Sequence, residues 1–138
     1  MTNPKVSILI ANYNNSQFIE ECINSLKNQT YKNIEIIFFD DFSKDNSIDI
    51  IKKFTEVNVI KNTIKTEIGS FNQIKAYEEA FKISKGEIIF FLDSDDYFHE
   101  DKISEIVKYF NDNKKAKIVF DYPLIKKNKK IITIKKRG

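Results

Sequence analysis

Tryptophan is absent from these 138 residues, and cysteine and histidine occur once each. The lone Cys22 excludes an internal disulfide and any zinc site built on thiolates. It falls among apolar residues at helical spacing, which reads as a small core residue rather than a nucleophile. With His99 as the only histidine, neither Ser43 nor Ser94 has a motif-linked base, and both read as caps or turn formers. Glycine is scarce, at three residues. No Gly-x-x-x-x-Gly-Lys occurs, and no Gly-x-Gly-x-x-Gly follows the first strand, which argues against P-loop ATPases and Rossmann dehydrogenases. No apolar run approaches the roughly 20 residues that cross a bilayer. Thr2, Asn3 and Pro4 lead directly into a short strand, without the apolar stretch of a signal peptide. These absences predict a cytoplasmic protein.

What is present describes one domain over residues 1–138, with 41% hydrophobic and 31% charged residues. The net charge of +3 is uneven: Lys126, Lys127, Lys129, Lys130, Lys135, Lys136 and Arg137 crowd the C-terminal end. Such a tail suits peripheral contact with the inner face of a membrane, but a lysine-rich hairpin tip plus a frayed terminus is the favoured explanation. Aromatics are not interleaved with these lysines, so nucleic acid is not an expected partner. The sequence sets no oligomeric state.

Strand and helix patterns alternate along the chain. Val6 to Ile10 is a short apolar strand, followed by the turn and cap cluster Asn12-Tyr13-Asn14-Asn15-Ser16. Phe18, Ile19, Cys22, Ile23 and Leu26 recur at helical spacing. Ile34 to Phe39 is a second strand ending in Asp40 and Asp41. Asp45 or Asn46 caps a helix whose inner face is Ile48, Ile51 and Phe54, and Val57 to Ile60 is a third strand. Gly69 and Ser70 open a helix carrying Phe71, Ile74, Tyr77 or Glu78, and Phe81, with Gly86 as its stop. Ile88 to Leu92 is an uninterrupted apolar run, the pattern of a central parallel strand buried on both faces. It ends in Asp93, Asp95 and Asp96. A helix with Ile103, Ile106, Val107 and Phe110 follows, then a strand from Ile118 to Phe120. A hairpin closes the chain, with Leu124-Ile125 and Ile131 to Ile134 flanking Lys126 to Lys130.

This order predicts an α/β fold, Rossmann-like, with an open, mostly parallel sheet and helices on both faces. Ligands of such sheets bind beyond the strand C-termini, where the polar and acidic clusters of this chain lie. Three carboxylates close together repel one another unless a cation joins them. Oxygen ligands suit Mg²⁺ or Mn²⁺, which would bring phosphate oxygens with it. A nucleoside diphosphate fits the rest: Tyr13 offers a flat face for a base, and a carboxylate after the second strand can accept from an imide N–H or a ribose hydroxyl.

Four ordered segments, Val6 to Asn15, Ser25 to Tyr31, Ile36 to Ser43 and Phe91 to Asp96, resemble the family-2 glycosyltransferases of the GT-A fold. The resemblance implies transfer of a sugar from a nucleotide-diphosphate donor, UDP-linked in many relatives, to a glycan or lipid-linked acceptor, metal-assisted by Mn²⁺ or Mg²⁺ and inverting. By position, Ala11 and Tyr13 match residues that hold the base, and Asp41 matches the acid that reads the uracil edge. Asp93 matches the start of the Asp-x-Asp motif near ribose and metal, and Asp95 the direct metal ligand. Relatives often carry Pro or Thr at Ala11 and Gly at Phe42. Where they carry Ala-Arg-Asn, this chain has Gln73, Ile74 and Lys75. Lys75 offers the donor a positive charge without a planar fork. No catalytic base is assigned within the chain, since the resemblance places it, with the acceptor site, beyond residue 138.

Competing readings fit less well. Receiver domains place an acidic pair after the first strand, and nucleotidyltransferases want a basic Gly-rich loop there. A non-catalytic nucleotide-binding module lacking the acceptor half is the remaining alternative.

Overall fold

The computed structural model describes residues 3–62, 69–120, 124–127 and 130–133. The elements run β1 (Val6–Asn12), α1 (Ser16–Lys27), β2 (Ile34–Asp40), α2 (Ser47–Ile51), β3 (Val57–Lys61), α3 (Gly69–Ile83), β4 (Ile88–Asp93), α4 (Lys102–Asp112), β5 (Leu124–Lys127) and β6 (Lys130–Thr133). β1 to β4 form one parallel sheet in the order β3-β2-β1-β4, while β5 and β6 pair antiparallel as the expected hairpin. The hairpin's two connecting residues, and the basic residues from 135 onward, lie outside the described residues.

Alternate residues of each strand face opposite sides of the sheet. On one side Ile8, Ile10, Phe38, Phe90 and Leu92 meet Ile19, Cys22, Ile23 and Leu26 of α1, Ile51 of α2, and Ile103 and Val107 of α4. Each large aliphatic side chain buried there contributes about 1.5–3 kcal/mol. The other side is smaller: Leu9 and Ile37 pack with Ala80, and Ile60, Tyr77 and Ile89 lie against them. The two-sided α/β architecture is therefore as expected.

Four details differ from the sequence reading. The apolar run Ile88–Leu92 is not central: β4 is an edge strand among the described residues, and Phe91 is 61% exposed. On that side, among the described residues, Tyr77 of α3 meets the Phe91 ring edge-on at 5.0 Å. Residues 118–120 form no strand, and Ile118 and Phe120 are largely exposed. A short apolar segment needs a neighbour for its backbone groups to become a strand, and no described strand pairs with it. On α3 the inward positions are Ala76, Tyr77 and Ala80, whereas Ile74 and Phe81 face outward. The small alanines let the helix lie close over bulky sheet residues; the Phe71 side chain lies outside the described residues.

Gly86 serves a close approach rather than a left-handed helix stop, since no described glycine has positive φ. A Cβ there would stand 2.5 Å from Ser7 Oγ and closer still to the Ser7 amide. The Gly86 amide instead donates to that Oγ at 2.7 Å. Ser7 in turn donates to Glu35 at 2.5 Å, and the Lys85 amide donates to the same Glu35 oxygen at 2.6 Å. Burial pushes the Glu35 carboxyl upward, but these two donors and Lys5 outweigh it and hold the group below its usual range.

Candidate functional site

The chain leaves β1, β2 and β4 on the same rim of the sheet because the three strands are parallel. Ala11 is in register with Phe39 of β2 on one side and Asp93 of β4 on the other. Residues far apart in sequence therefore meet across β1. They border an open cleft of about 260 Å³ whose lining includes Ala11, Tyr13, Asp41, Asp93 and Asp95. Asn12 and Asn15 complete the β1 side. Gln73 and Ala76, not Lys75, supply the contribution of α3; Lys75 is half-buried elsewhere on that helix.

The β1–α1 and β2–α2 loops brace each other. Asn12 Nδ2 donates to Asp40 Oδ1 at 2.8 Å and to Ser43 Oγ at 3.1 Å. The Asn14 amide donates to Ser43 Oγ, and the Lys44 amide donates to Asn14 Oδ1. Asn14 has φ 51°, a left-handed backbone that asparagine tolerates. Phe42, directly after Asp41, has φ 63°. For a phenylalanine that conformation costs about 1–2 kcal/mol, which the surrounding bonds must supply. This framework leaves Tyr13 53% exposed at the cleft.

Asp45 joins two helix starts, accepting from the Ser16 amide of α1 at 2.9 Å and from the Ser47 amide and hydroxyl of α2. Burial works against its charge, but the Ser47 and Ser16 donors prevail and bring its pKa down to about 2. Asn46 occupies the cap position of α2 without a side-chain cap bond.

One carboxylate oxygen from each of Asp93, Asp95 and Asp96 lies within 4.8 Å of the others. Two full charges at such a distance repel by about 1–3 kcal/mol near a protein surface. Lost hydration, then Asp95 and Asp93, push the Asp96 carboxyl above its ordinary value. The cluster offers hard oxygen donors, which fits a divalent cation such as Mg²⁺ or Mn²⁺. Cys22 lies in the core, where burial and then these three acids push its thiol up to about 12. It stays protonated and inert, as its core position implies.

The partners that hold the acids were not legible in the sequence. Asn62, just past β3, donates to Asp41 Oδ1 at 2.6 Å; its place after a strand C-terminus was the one available signal. Asn15 donates to the fully buried Ser94 at 3.0 Å, tying the first loop to the acidic turn. Gln73 and Tyr77 both donate to Asp93 Oδ1 at 2.6 Å. Burial, then Asp93, raises the Tyr77 pKa, so this hydroxyl remains a donor. Beneath the acidic turn lies Gln29, fully buried, whose amide donates to Ser25 and His99 carbonyls and accepts from the Ile103 amide.

A parallel sheet whose rim gathers an exposed tyrosine, a braced acid and an acidic cluster defines an α/β domain of the GT-A type. The chain belongs to glycosyl transferase family 2, whose family model matches residues 7–137. Among curated relatives it is 42% identical over 120 residues to Escherichia coli WfaP, a UDP-Glc:α-D-GlcNAc-diphosphoundecaprenol β-1,3-glucosyltransferase, covering 85% of this chain and 44% of that protein. Staphylococcus aureus TarS 1-349 in complex with UDP is similar in structure, with TM-score 0.70 and 25% identity, over 80% of this chain and 33% of that one. The mannosyltransferase PcManGT from Pyrobaculum calidifontis, solved with GDP-Man and Mn²⁺, shares the fold at TM-score 0.70 and 22% identity, over 80% and 33% of the two chains. The chain thus spans less than half the length of WfaP. No helix among the described residues is long and apolar enough to cross a membrane.

Proposed function

We propose that this chain is the donor-binding part of an inverting glycosyltransferase that uses a UDP-linked sugar. The convergence of Tyr13, Asp41, Asp93 and Asp95 on one cleft carries the reading. The Tyr13 ring stacks on the base, with Ala11 leaving room beside it. Asp41, turned by Asn62, accepts from the uracil imide. Asp93 faces the ribose and, with Asp95, would hold Mn²⁺ or Mg²⁺. A cation held there would supply charge neutralisation at the diphosphate and so a better leaving group. Likeness to WfaP and to the TarS–UDP complex favours uridine as the base.

In the complete reaction an acceptor hydroxyl oxygen forms the new bond at the anomeric carbon as the bond to the diphosphate oxygen breaks. A carboxylate base takes the hydroxyl proton, and we place that base and the glycan or lipid-linked acceptor site outside residues 1–138. Calorimetric titration with UDP, with and without Mn²⁺, tests the donor reading, with GDP and ADP as controls. Mn²⁺-dependent binding that prefers UDP is expected. A preference for GDP would change the donor, and no binding to any of the three would sink the proposal.

A further inference from the structure

We infer that Tyr77, assisted by Gln73, is a positioning residue that sets the Asp93 carboxylate for donor and metal. The inference rests on the donor-site reading above and goes beyond it by assigning a task to α3.

Asp93 ends β4 as the last residue in register with β1, opposite Ala11. An aspartate side chain has two torsions, the outer one broad. Beside Asp95 and Asp96, an unrestrained carboxylate gains by turning away from the cluster, which is the wrong direction for sharing a cation. Two donors at 2.6 Å on the same oxygen oppose that turn. They come from positions 73 and 77, one helical turn apart on a single face.

The mounting is rigid. The Tyr77 ring packs in the apolar cluster with Leu9, Ile37 and Ala80, and meets Phe91 edge-on at 77°. Ala76 and Ala80 bring this helix close to the sheet, so the hydroxyl reaches the strand end with little torsional freedom left to lose. A half-buried tyrosine hydroxyl needs some partner for its own sake. That need does not explain Gln73, which is exposed and still directs its amide to the same oxygen. Both donors are also neutral. A lysine or arginine in their place would fix the carboxylate but cancel the charge that a divalent cation requires, whereas an amide and a phenol hold it and leave its charge intact.

Tyr77→Phe removes one oxygen and keeps the ring, so the packing survives. The full 138-residue chain is titrated with UDP, with and without MnCl₂. The expected result is a roughly tenfold smaller Mn²⁺-dependent gain in UDP affinity, with metal-free UDP affinity falling by a clearly smaller factor through the ribose contact of Asp93. Gln73→Ala, at an exposed position that cannot threaten the fold, gives the same signature at smaller size. In an Asp93→Asn background Tyr77→Phe has no further effect, because its influence passes through that carboxylate. An unchanged Mn²⁺-dependent gain in Tyr77→Phe overturns the positioning role while leaving the donor site standing. Equal losses with and without metal overturn it too, by showing a general structural role. Failure of the unsubstituted chain to bind UDP in either condition overturns the donor-site reading and this inference with it.

Discussion

Replacing Gln29 by alanine strips the support from under the acidic turn. The side chain is fully buried, and its amide joins three segments: the Ser25 carbonyl in α1 at 3.1 Å, the His99 carbonyl at 2.7 Å and the Ile103 amide in the first turn of α4 at 3.1 Å. The Ile103 amide is one of the helix-start donors with no intrahelical partner, so its loss leaves a buried orphan worth about 1–3 kcal/mol. The two carbonyls add about 1 kcal/mol each, and the vacated volume adds more. The expected destabilisation is about 3–5 kcal/mol, a large share of the roughly 5–15 kcal/mol that holds a domain together. Urea unfolding followed by circular dichroism should show the midpoint falling by about 2 M at unchanged slope. Gln29→Met separates bonding from volume, because it keeps the length of the side chain and loses every hydrogen bond. Most of the loss should persist in that variant. A cost below about 1 kcal/mol for Gln29→Met would refute the reasoning, since the three bonds would then be exchanged without penalty.

Other outcomes follow from the same geometry. Asp95→Ala should abolish the Mn²⁺-dependent part of UDP binding, whereas Asp41→Ala should weaken UDP binding about equally with and without metal; calorimetry that finds metal dependence intact in Asp95→Ala rejects the assignment. Gly86→Ala forces a Cβ against the Ser7 backbone and hydroxyl, and a loss of about 2–3 kcal/mol in urea unfolding is expected. The Asp45 pKa is lowered from 3.8 to about 2, so its stabilisation is fully present above pH 3.8 and disappears as pH falls toward 2. Asp45→Asn should therefore flatten the acid limb of a stability–pH profile over that window, by about 1 kcal/mol once solvent screening is allowed for.

The alternation of apolar runs with helical spacing foretold the parallel sheet, because side-chain burial on the two faces of a strand or one face of a helix is written in local periodicity. The positions of Ala11, Tyr13, Asp41, Asp93 and Asp95 at strand ends were legible for the same reason: parallel strands put their C-termini on one rim. Local pattern misled where burial depends on neighbours. Ile88 to Leu92 looks the same at an edge as at the centre of a sheet, and Ile118 to Phe120 is a continuous apolar run yet has no described strand beside it. Ile74 and Phe81 outrank Ala76 and Ala80 in hydrophobicity, but close packing over Leu9 and Ile37 favoured the smaller pair.

By itself, then, the sequence determined the fold class, the order of elements and which acids gather at the rim, since each follows from spacing along the chain. Only the tertiary structure decided which side chain holds which acid or loop carbonyl. Asn62 with Asp41, Tyr77 with Asp93 and Gln29 with His99 are separated by 21, 16 and 70 residues. The register between parallel strands and the depth at which each helix settles on the sheet bring them together, and neither quantity is written in any local pattern.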